Sequence, residues 1–204
     1  MLVLGATGGT GREVVSQALQ RGHEVTVLAR NPSKVSARER LRVIAGSPED
    51  AALGEALMGQ AAVISALGRG NAMKSDNLIA RSMQALVPAM EKAGVRRLIF
   101  TSAFGVGETR LQVPLVPRFF QCLLLRDVFA DKAVGEEILR KSSLDWTIAY
   151  PSILVDGPAT GRYRAGETLS LSGMPKITRG DVGAFLVSQL EDRTYVRKGV
   201  MISS

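Results

Sequence analysis

Short apolar segments alternate with longer amphipathic segments along the chain. The apolar segments are rich in β-branched residues and predict buried strands at 2–5, 24–30, 41–45, 61–66, 97–102, 145–150 and 200–203. Apolar residues at helical spacing predict helices at 12–21, 49–58, 76–93, 119–142 and 180–190. Because strands and helices alternate and the strands are apolar throughout, the pattern predicts an α/β fold, a doubly wound and mostly parallel sheet with helices on both faces.

Two long segments, 103–118 and 152–178, are predicted to be loops. In doubly wound folds ligands bind beyond the carboxyl ends of the strands, so these loops are predicted to form the walls of a substrate site. The chain has 204 residues and shows no repeat or linker, which predicts a single domain spanning 1–204.

A glycine-rich segment, Gly5-Ala6-Thr7-Gly8-Gly9-Thr10-Gly11, lies between the first predicted strand and the first predicted helix. Gly5 and Gly8 permit a tight turn and close approach to a pyrophosphate, and Gly11 permits close packing of the helix on the strand. The N–H groups that begin the helix then face the phosphates. The segment predicts a dinucleotide site, with a glycine-rich turn that binds no ligand as the structural alternative.

The second predicted strand ends in a basic residue. NAD sites usually place Asp or Glu there, on the 2′-hydroxyl of the ribose, whereas this strand ends in Arg30. A guanidinium pairs well with a 2′-phosphate, and Arg12 follows the glycine segment closely enough to contribute. The sequence therefore favours NADP(H) over NAD(H).

The overall charge agrees with an anionic partner. Lys and Arg number 26 against 19 Asp and Glu, which gives a formal net charge of +7 and a pI near 10.0. A solvated basic face accounts for the excess equally well. Aromatic residues are only 5% and no nucleic-acid-binding spacing is present, so nucleic acid is not an expected partner.

Cysteine and histidine are too few for several kinds of site. A single cysteine, Cys122, excludes an intrachain disulfide, and a single histidine, His23, argues against Cys/His zinc sites and hydrolase triads. No metal site is expected. No apolar run reaches the length of a membrane span and no signal peptide is evident, so a cytoplasmic protein is expected.

Six segments together resemble the atypical short-chain dehydrogenase/reductases. They are GATGGTG at 5–11, EVTVLAR at 24–30, AAVISALG at 61–68, GVRRLIFTSAFG at 94–105, LDWTIAYPSIL at 144–154 and ITRGDVGAFL at 177–186. The resemblance covers essentially the whole chain and is to the NAD(P)H-binding, NmrA-like branch, which implies a Rossmann fold. Within that branch the chain is most similar to the biliverdin-IXβ reductases, also called flavin reductases.

The resemblance implies a set of cofactor-binding positions. These follow the ends of the predicted strands, with one further position, Lys132, on the helix predicted at 119–142. They are Gly5, Thr7, Gly8, Gly9, Thr10, Gly11, Arg12, Arg30, Ser47, Ala66, Leu67, Gly68, Thr101, Ser102, Lys132, Pro151, Ser152 and Ile153. Many relatives have an aspartate where this chain has Ser47, so the contact to the adenine is expected to be weaker or to come from the backbone.

The catalytic pair of the superfamily, Tyr-x-x-x-Lys, is incomplete in this chain. Lys132 matches the lysine, but Val128 stands where the tyrosine is expected. Hydride transfer to a ketone produces an alkoxide, which needs an acid close by to protonate it. Hydride transfer to a conjugated acceptor produces a delocalised negative charge, and solvent can supply the proton. With Ser102 and Lys132 as catalytic candidates, the resemblance implies an NADPH-dependent oxidoreductase that reduces a flavin, a biliverdin or a quinone-like acceptor. A non-catalytic NADP(H)-binding regulator is the alternative.

An unusually apolar segment, 103–129, follows the fifth predicted strand. It predicts a hydrophobic cleft for a planar small molecule, and core packing or a subunit contact explains the same residues. Its arginines, Arg110, Arg118 and Arg126, are candidates to meet a carboxylate or a phosphate of the substrate. A monomer or a small homo-oligomer is expected.

Overall fold

A twisted sheet forms the centre of the protein. The computed structural model describes residues 1–68, 76–112 and 126–204, and within these ranges eight strands form one sheet in the order β3-β2-β1-β4-β5-β6-β10-β8. All neighbours are parallel except β8 and β10. A separate parallel pair joins β7 to β9. The strands are β1 (Leu2–Leu4), β2 (Val25–Ala29), β3 (Leu41–Ala45), β4 (Ala62–Ser65), β5 (Arg97–Thr101), β6 (Asp145–Pro151), β7 (Ile153–Val155), β8 (Arg164–Gly166), β9 (Lys176–Thr178) and β10 (Lys198–Ser203).

Helices cover both faces of the sheet. They are α1 (Gly9–Gln20), α2 (Ala52–Leu57), α3 (Leu78–Ala93), α4 (Arg126–Lys141) and α5 (Arg179–Ser188). Helices α1 and α5 pack against each other on one face, and α3 packs with α4 and α2 on the other. The predicted α/β class, doubly wound and mostly parallel, is therefore confirmed.

Each face of the sheet has its own apolar core, because successive strand residues point to opposite sides. Val3 and Val27 face α1 and α5, where Val14 and Phe185 are buried. Leu2 and Leu4 belong to the other core, which α3 contributes to through Met83 and Leu86. Burying each such side chain stabilises the fold by about 1.5–3 kcal/mol.

The two ends of helix α3 are capped, and only one of the two caps is visible in the sequence. Gly94 adopts a φ of +72° and ends the helix, as its sequence position predicts. At the other end, the carboxylate of Asp131 on α4 accepts hydrogen bonds from the backbone N–H groups of Ile79 (3.0 Å) and Ala80 (2.9 Å). A neighbouring helix thus satisfies two N–H groups that a local side chain usually caps.

The prediction of a loop at 152–178 is wrong, since three short strands lie within it. Strands β7, β8 and β9 have three residues each, which is too short for a period of two to be visible in a sequence. The buried Asp181 anchors the segment by accepting hydrogen bonds from the backbone N–H groups of Thr160 (2.7 Å) and Gly161 (2.9 Å).

Several predicted boundaries also change. Helix α1 begins at Gly9, three residues before the predicted start, because the glycine segment itself supplies the first turn. Helix α4 is described from Arg126, so the part of its prediction at 119–125 lies outside the described residues. Strand β10 begins two residues before its prediction, at Lys198.

Candidate functional site

The glycine segment makes a tight turn between β1 and α1. Gly5 adopts a φ of +81°, and the N–H of Gly8 donates to the carbonyl of Gly5 at 3.0 Å. A Cβ at Gly5 would lie 2.5 Å from the carbonyl oxygen of Ala66, and a Cβ at Gly11 would overlap the Gly5 carbonyl. The turn is therefore open only to glycine at these points, and it brings the start of α1 to the carboxyl edge of the sheet.

The start of α1 faces a cleft. Gly8 precedes the helix in extended conformation, and no side chain of the described residues caps its first N–H groups. Such groups form an anion site. Arg179, the first residue of α5, lies across the same turn, because a Cβ at Gly9 would come 2.5 Å from its Cδ. Its guanidinium donates to the exposed carboxylate of Asp156 at 2.8 Å.

The cleft has a volume of about 730 Å³, which is within the range of small-molecule and cofactor sites. It runs along the carboxyl ends of β1, β2, β3, β4, β5 and β6, across the point where the strand order reverses. The predicted site residues that line it are Gly5, Thr7, Gly8, Gly9, Thr10, Arg30, Ser47, Ala66, Leu67, Gly68, Thr101, Ser102, Lys132, Pro151 and Ser152.

Three predicted site residues do not line the cleft. Gly11 packs against the turn itself, where a Cβ would overlap the carbonyl of Gly5. Arg12 is exposed, and its Nη1 donates to the carbonyl of Thr7 at 2.9 Å, which braces the turn. Ile153 is 40% exposed and follows the edge of the cleft.

An acidic residue near the predicted adenine end was missed. The carboxylate of Asp50 accepts a hydrogen bond from the backbone N–H of Ser47 at 2.7 Å, and both residues line the cleft. The family pattern predicts an aspartate directly after Gly46. In this chain the carboxylate belongs to a residue three positions later, which a turn brings to the same end of the cleft. Arg81 of α3 also lines this end and lies 3.4 Å from the carboxylate of Glu49.

A buried lysine lies at the other end of the cleft. The Nζ of Lys132 donates to the carbonyl of Thr101 at 2.9 Å and lies 5.5 Å from the ring centre of Phe100. Burial lowers the pKa of this ammonium group to about 8, against the attraction of Glu136 and Asp131. Lys132, on helix α4, is therefore held against the end of β5, and the ribose contact that the resemblance implies for it stays a prediction.

Ser102 is linked to a buried carboxyl group that sequence reasoning missed. Its hydroxyl donates to Oε1 of Glu136, and the hydroxyl of Tyr150 donates to Oε2 at 2.7 Å. Burial raises the pKa of Glu136, opposed by those two hydrogen bonds. Glu136 follows Lys132 by one helical turn, and that spacing was the available signal.

The tyrosines lie away from the cleft. Within the described ranges no tyrosine lines it, and Val128 occupies the position four residues before Lys132. Tyr150 is fully buried. Tyr163 and Tyr195 pack around Phe185 on the face of the sheet that α1 and α5 cover. Much of the predicted apolar wall, 113–125 with Arg118 and Cys122, lies outside the described residues.

The residues of the cleft fit a dinucleotide. One end offers backbone N–H groups and guanidinium groups for phosphates, as described above. At the other end, the buried Oγ1 of Thr101 has no hydrogen-bond partner in the described part of the chain, although it lies on a residue that lines the cleft. An unpaired buried hydroxyl is costly, so a polar ligand group at this point would satisfy it.

Comparison with known proteins agrees with this fit. A model of the NAD(P)H-binding family matches residues 5–193. The chain belongs to the NAD(P)H-binding family. This assignment confirms the predicted family branch, and the match begins at Gly5 and includes the glycine turn, Ser102 and Lys132.

Two curated relatives of this NAD(P)H-binding protein have names that suggest different roles. The photosystem II assembly factor Ycf39 of Synechocystis is 28% identical over 97% of this chain, which covers 60% of the relative's length. The (4-alkanoyl-5-oxo-2,5-dihydrofuran-3-yl)methyl phosphate reductase of Streptomyces griseus is 29% identical over 98% of this chain, which covers 67% of the relative.

A solved structure shares the fold of this NAD(P)H-binding protein over nearly its whole length. ChuY, an anaerobillin reductase from Escherichia coli O157:H7, superposes with a TM-score of 0.80 at 22% identity. The match covers 98% of this chain and 95% of ChuY. In the described ranges, no helix is long and apolar enough to cross a membrane.

Proposed function

We propose that this protein is an NADPH-dependent reductase whose acceptor is a conjugated molecule such as a flavin, a biliverdin or a quinone. One observation carries the proposal. A single cleft has the glycine turn with the start of α1, Arg30 and Arg179 at one end and the buried pair Ser102 and Lys132 at the other, and in the described part of the chain no tyrosine lines it.

The cofactor would lie along the whole cleft. The N–H groups at the start of α1 would hold the pyrophosphate, and Arg179 is placed to add a guanidinium there. Arg30, exposed after β2, would pair with a 2′-phosphate, which favours NADPH. Lys132 would hold the nicotinamide ribose, and Thr101 would offer its unpaired hydroxyl. When bound, the reduced nicotinamide supplies a hydride.

We call the end of the cleft with Ser102 and Lys132 the reducing end. A conjugated acceptor suits the side chains at this end. Carbonyl reduction places a full negative charge on one oxygen, and an acid close to it normally quenches that charge. Ser102 offers a weaker donor, which is enough when the charge is delocalised over a conjugated system. The names of the Streptomyces reductase and of ChuY both describe reductases, which supports the same reading for this chain.

A second role is that of a dinucleotide-binding assembly or regulatory protein. Two observations favour it, namely the valine at position 128 and the similarity to the assembly factor Ycf39. In this role the cleft would bind NADP(H) and present it to a partner without turnover.

The test is NADPH oxidation by the purified protein with FMN, riboflavin, a biliverdin and a quinone as separate acceptors. Turnover with one of them, lost in Gly8→Leu, is expected for a reductase, because a Cβ at Gly8 already lies 3.3 Å from the Gly5 carbonyl. Gly54→Leu is the matched control, since a Cβ there meets no atom within 4 Å.

Three outcomes separate the two roles. Turnover that Gly8→Leu abolishes and Gly54→Leu retains supports the reductase. Tight NADPH binding without turnover on any acceptor supports the assembly or regulatory role. Absence of NADPH binding, measured by titration calorimetry, contradicts both.

A further inference from the structure

A chain of buried hydrogen bonds leads away from the cleft behind Ser102. It passes from the Ser102 hydroxyl to the carboxyl of Glu136 and on to the hydroxyl of Tyr150. The Nη2 of Arg140 donates to that phenol oxygen at 3.0 Å and lies 3.1 Å from the carboxylate of Glu108 at the surface. Through Glu136 the chain of contacts therefore connects the reducing end of the cleft with Glu108 at the surface.

Glu136 is sealed from solvent. Its residue is 2% exposed, and a Cβ at Gly107 would overlap its Oε2. Gly107 has a φ of +52°, a conformation that glycine adopts most easily. This glycine lets the 3-10 turn after β5 (Gly107–Gln112) close directly over the carboxyl group.

The charged neighbours of Glu136 are engaged elsewhere. Lys132, one turn earlier on α4, donates to the carbonyl of Thr101, and Arg140, one turn later, pairs with Glu108 and Tyr150. Within the described ranges no cation lies within ion-pair distance of the carboxyl oxygens. The charges of Arg140 and Lys132 still oppose protonation from farther away, but burial is the largest influence and raises the pKa of Glu136, so the carboxyl group tends to keep its proton.

We propose that Glu136 is the proton store of this site, and that it acts through Ser102 to protonate the reduced acceptor. The proposal rests on the reductase function argued above, and it makes Glu136, instead of the solvent expected from the sequence, the immediate source of the proton. Glu136 does not itself line the cleft, so it is a positioning and proton-supplying residue, whereas Ser102 is the group that contacts the acceptor.

The proton transfer balances as follows. A hydride, carrying two electrons, passes from the reduced nicotinamide to the acceptor, which becomes an anion. When Oε1 of Glu136 carries the proton, it donates to the serine oxygen, and the Ser102 hydroxyl, which otherwise donates to Oε1, turns its hydrogen toward the acceptor. The Ser102 O–H bond then breaks as the acceptor takes that proton, and the Glu136 O–H bond breaks as its proton moves to the serine oxygen. Glu136 is left as a carboxylate that the hydroxyl of Tyr150 stabilises, and water entering after product release returns the proton through Ser102.

The far end of the chain does not supply protons. Arg140 keeps its proton at any ordinary pH, and burial raises the pKa of Tyr150 further above its usual value. Among the described residues, the proton of Glu136 therefore leaves through Ser102 and returns through Ser102. This explains why a buried carboxyl group and a strand-end serine that faces the cleft are joined directly.

The first experiment reads the carboxyl group without any turnover. Infrared difference spectra between the wild type and Glu136→Gln, taken at pH 6 to 7, are expected to show a protonated carboxyl band that the variant lacks. A carboxyl group at position 136 that titrates at the ordinary value near 4.5 overturns the proposal.

The second experiment measures single-turnover reduction against pH. The rate is expected to fall about a hundredfold in Glu136→Gln and in Ser102→Ala, and the decline of the wild-type rate at high pH is expected to vanish in Glu136→Gln. In Tyr150→Phe that decline should move to higher pH, because the phenol hydrogen bond lowers the pKa of Glu136. A purely structural role would not move it.

Glu137→Gln is the matched control. Glu137 is adjacent, exposed and paired with Lys141 at 2.6 Å, so its loss should leave the rate and the pH profile unchanged. Wild-type rates and pH dependence in Glu136→Gln reject the proton store and leave the reductase standing. Absence of turnover in the wild type rejects the reductase, and the infrared bands then still decide whether Glu136 stores a proton.

Discussion

The two ends of the cleft solve different electrostatic problems. One end, called the phosphate end after the role we propose for it, has backbone N–H groups and the exposed or partly exposed guanidinium groups of Arg30 and Arg179, so its charge stays in contact with water until a ligand arrives. The reducing end uses Lys132, Ser102 and Glu136, which are buried before anything binds. The first end gains from the ligand's charge, whereas the second carries the free-energy cost of its own polar groups within the fold.

The largest effect is expected at the glycine turn. In Gly11→Ala the new Cβ overlaps the carbonyl of Gly5, so either the turn or α1 must move. We expect a loss of several kcal/mol in the free energy of unfolding and at least a hundredfold loss of NADPH affinity. Chemical denaturation and titration calorimetry measure the two quantities.

Gly54→Ala is the control for that substitution. Gly54 is in helix α2 with open space around its Cα, so alanine should stabilise the protein by about 0.5–1 kcal/mol. Equal stabilities of the two variants would show that the turn is not the tight element described above.

The stability of the reducing end is expected to depend on pH through Lys132. Its pKa falls from 10.5 in the unfolded chain to about 8 in the folded protein. Burial of the charged form is therefore a cost that is fully present below pH 8 and disappears as the pH rises towards 10.5. Between pH 7 and 10 the wild type should gain about 2–3 kcal/mol over Lys132→Met.

Denaturant unfolding of both proteins at the two pH values measures this difference. Groups that do not interact with Lys132 contribute equally to wild type and variant and cancel in the comparison. Glu136, whose pKa Lys132 lowers, is the exception, so the same comparison is repeated in the Glu136→Gln background. A difference that stays constant with pH would mean that Lys132 is solvated in the folded protein.

Arg30→Glu tests selectivity at the phosphate end. Loss of a charge-assisted pair with the 2′-phosphate costs about 1.5–3 kcal/mol, to which repulsion adds. NADPH should weaken at least tenfold more than NADH in titrations of the purified protein. An equal loss for both cofactors would place the 2′-phosphate elsewhere.

Arg179→Ala is expected to have the smallest of these effects and a different signature. Its guanidinium lies at the glycine turn, so NADPH and NADH should weaken alike, each by about 1 kcal/mol. The variant Asp156→Asn removes the carboxylate that lies 2.8 Å from Arg179, so the binding of both NADPH and NADH should become slightly tighter. Selectivity that changes in Arg179→Ala contradicts this placement.

The phosphate end was more accessible to sequence reasoning than the reducing end, for physical reasons. The glycine turn and Arg30 lie next to strands in the chain, so local pattern predicts them. Glu136 was missed because a charged residue on a helix usually faces solvent, and its burial depends on Gly107 from a distant turn. Arg179 reaches the cleft only because α5 packs beside α1.

The position of Asp50 illustrates the same limit. Sequence comparison with the family expects a carboxylate directly after Gly46, whereas the turn from Ser47 brings Asp50 to that end of the cleft. The strands at 153–178 were missed because they owe their conformation to pairing with each other and with β10, and three residues carry no pattern of their own.

The bonds from Asp131 to the start of α3 restrict how this chain can vary in length. Asp131 and Lys132 are consecutive, yet one holds the backbone of α3 and the other lies in the cleft. One inserted residue between them would turn the rest of α4 by about 100° and take Lys132 and Glu136 out of place together. Homologous chains should therefore accept insertions between β7 and β9, and almost none within this helix.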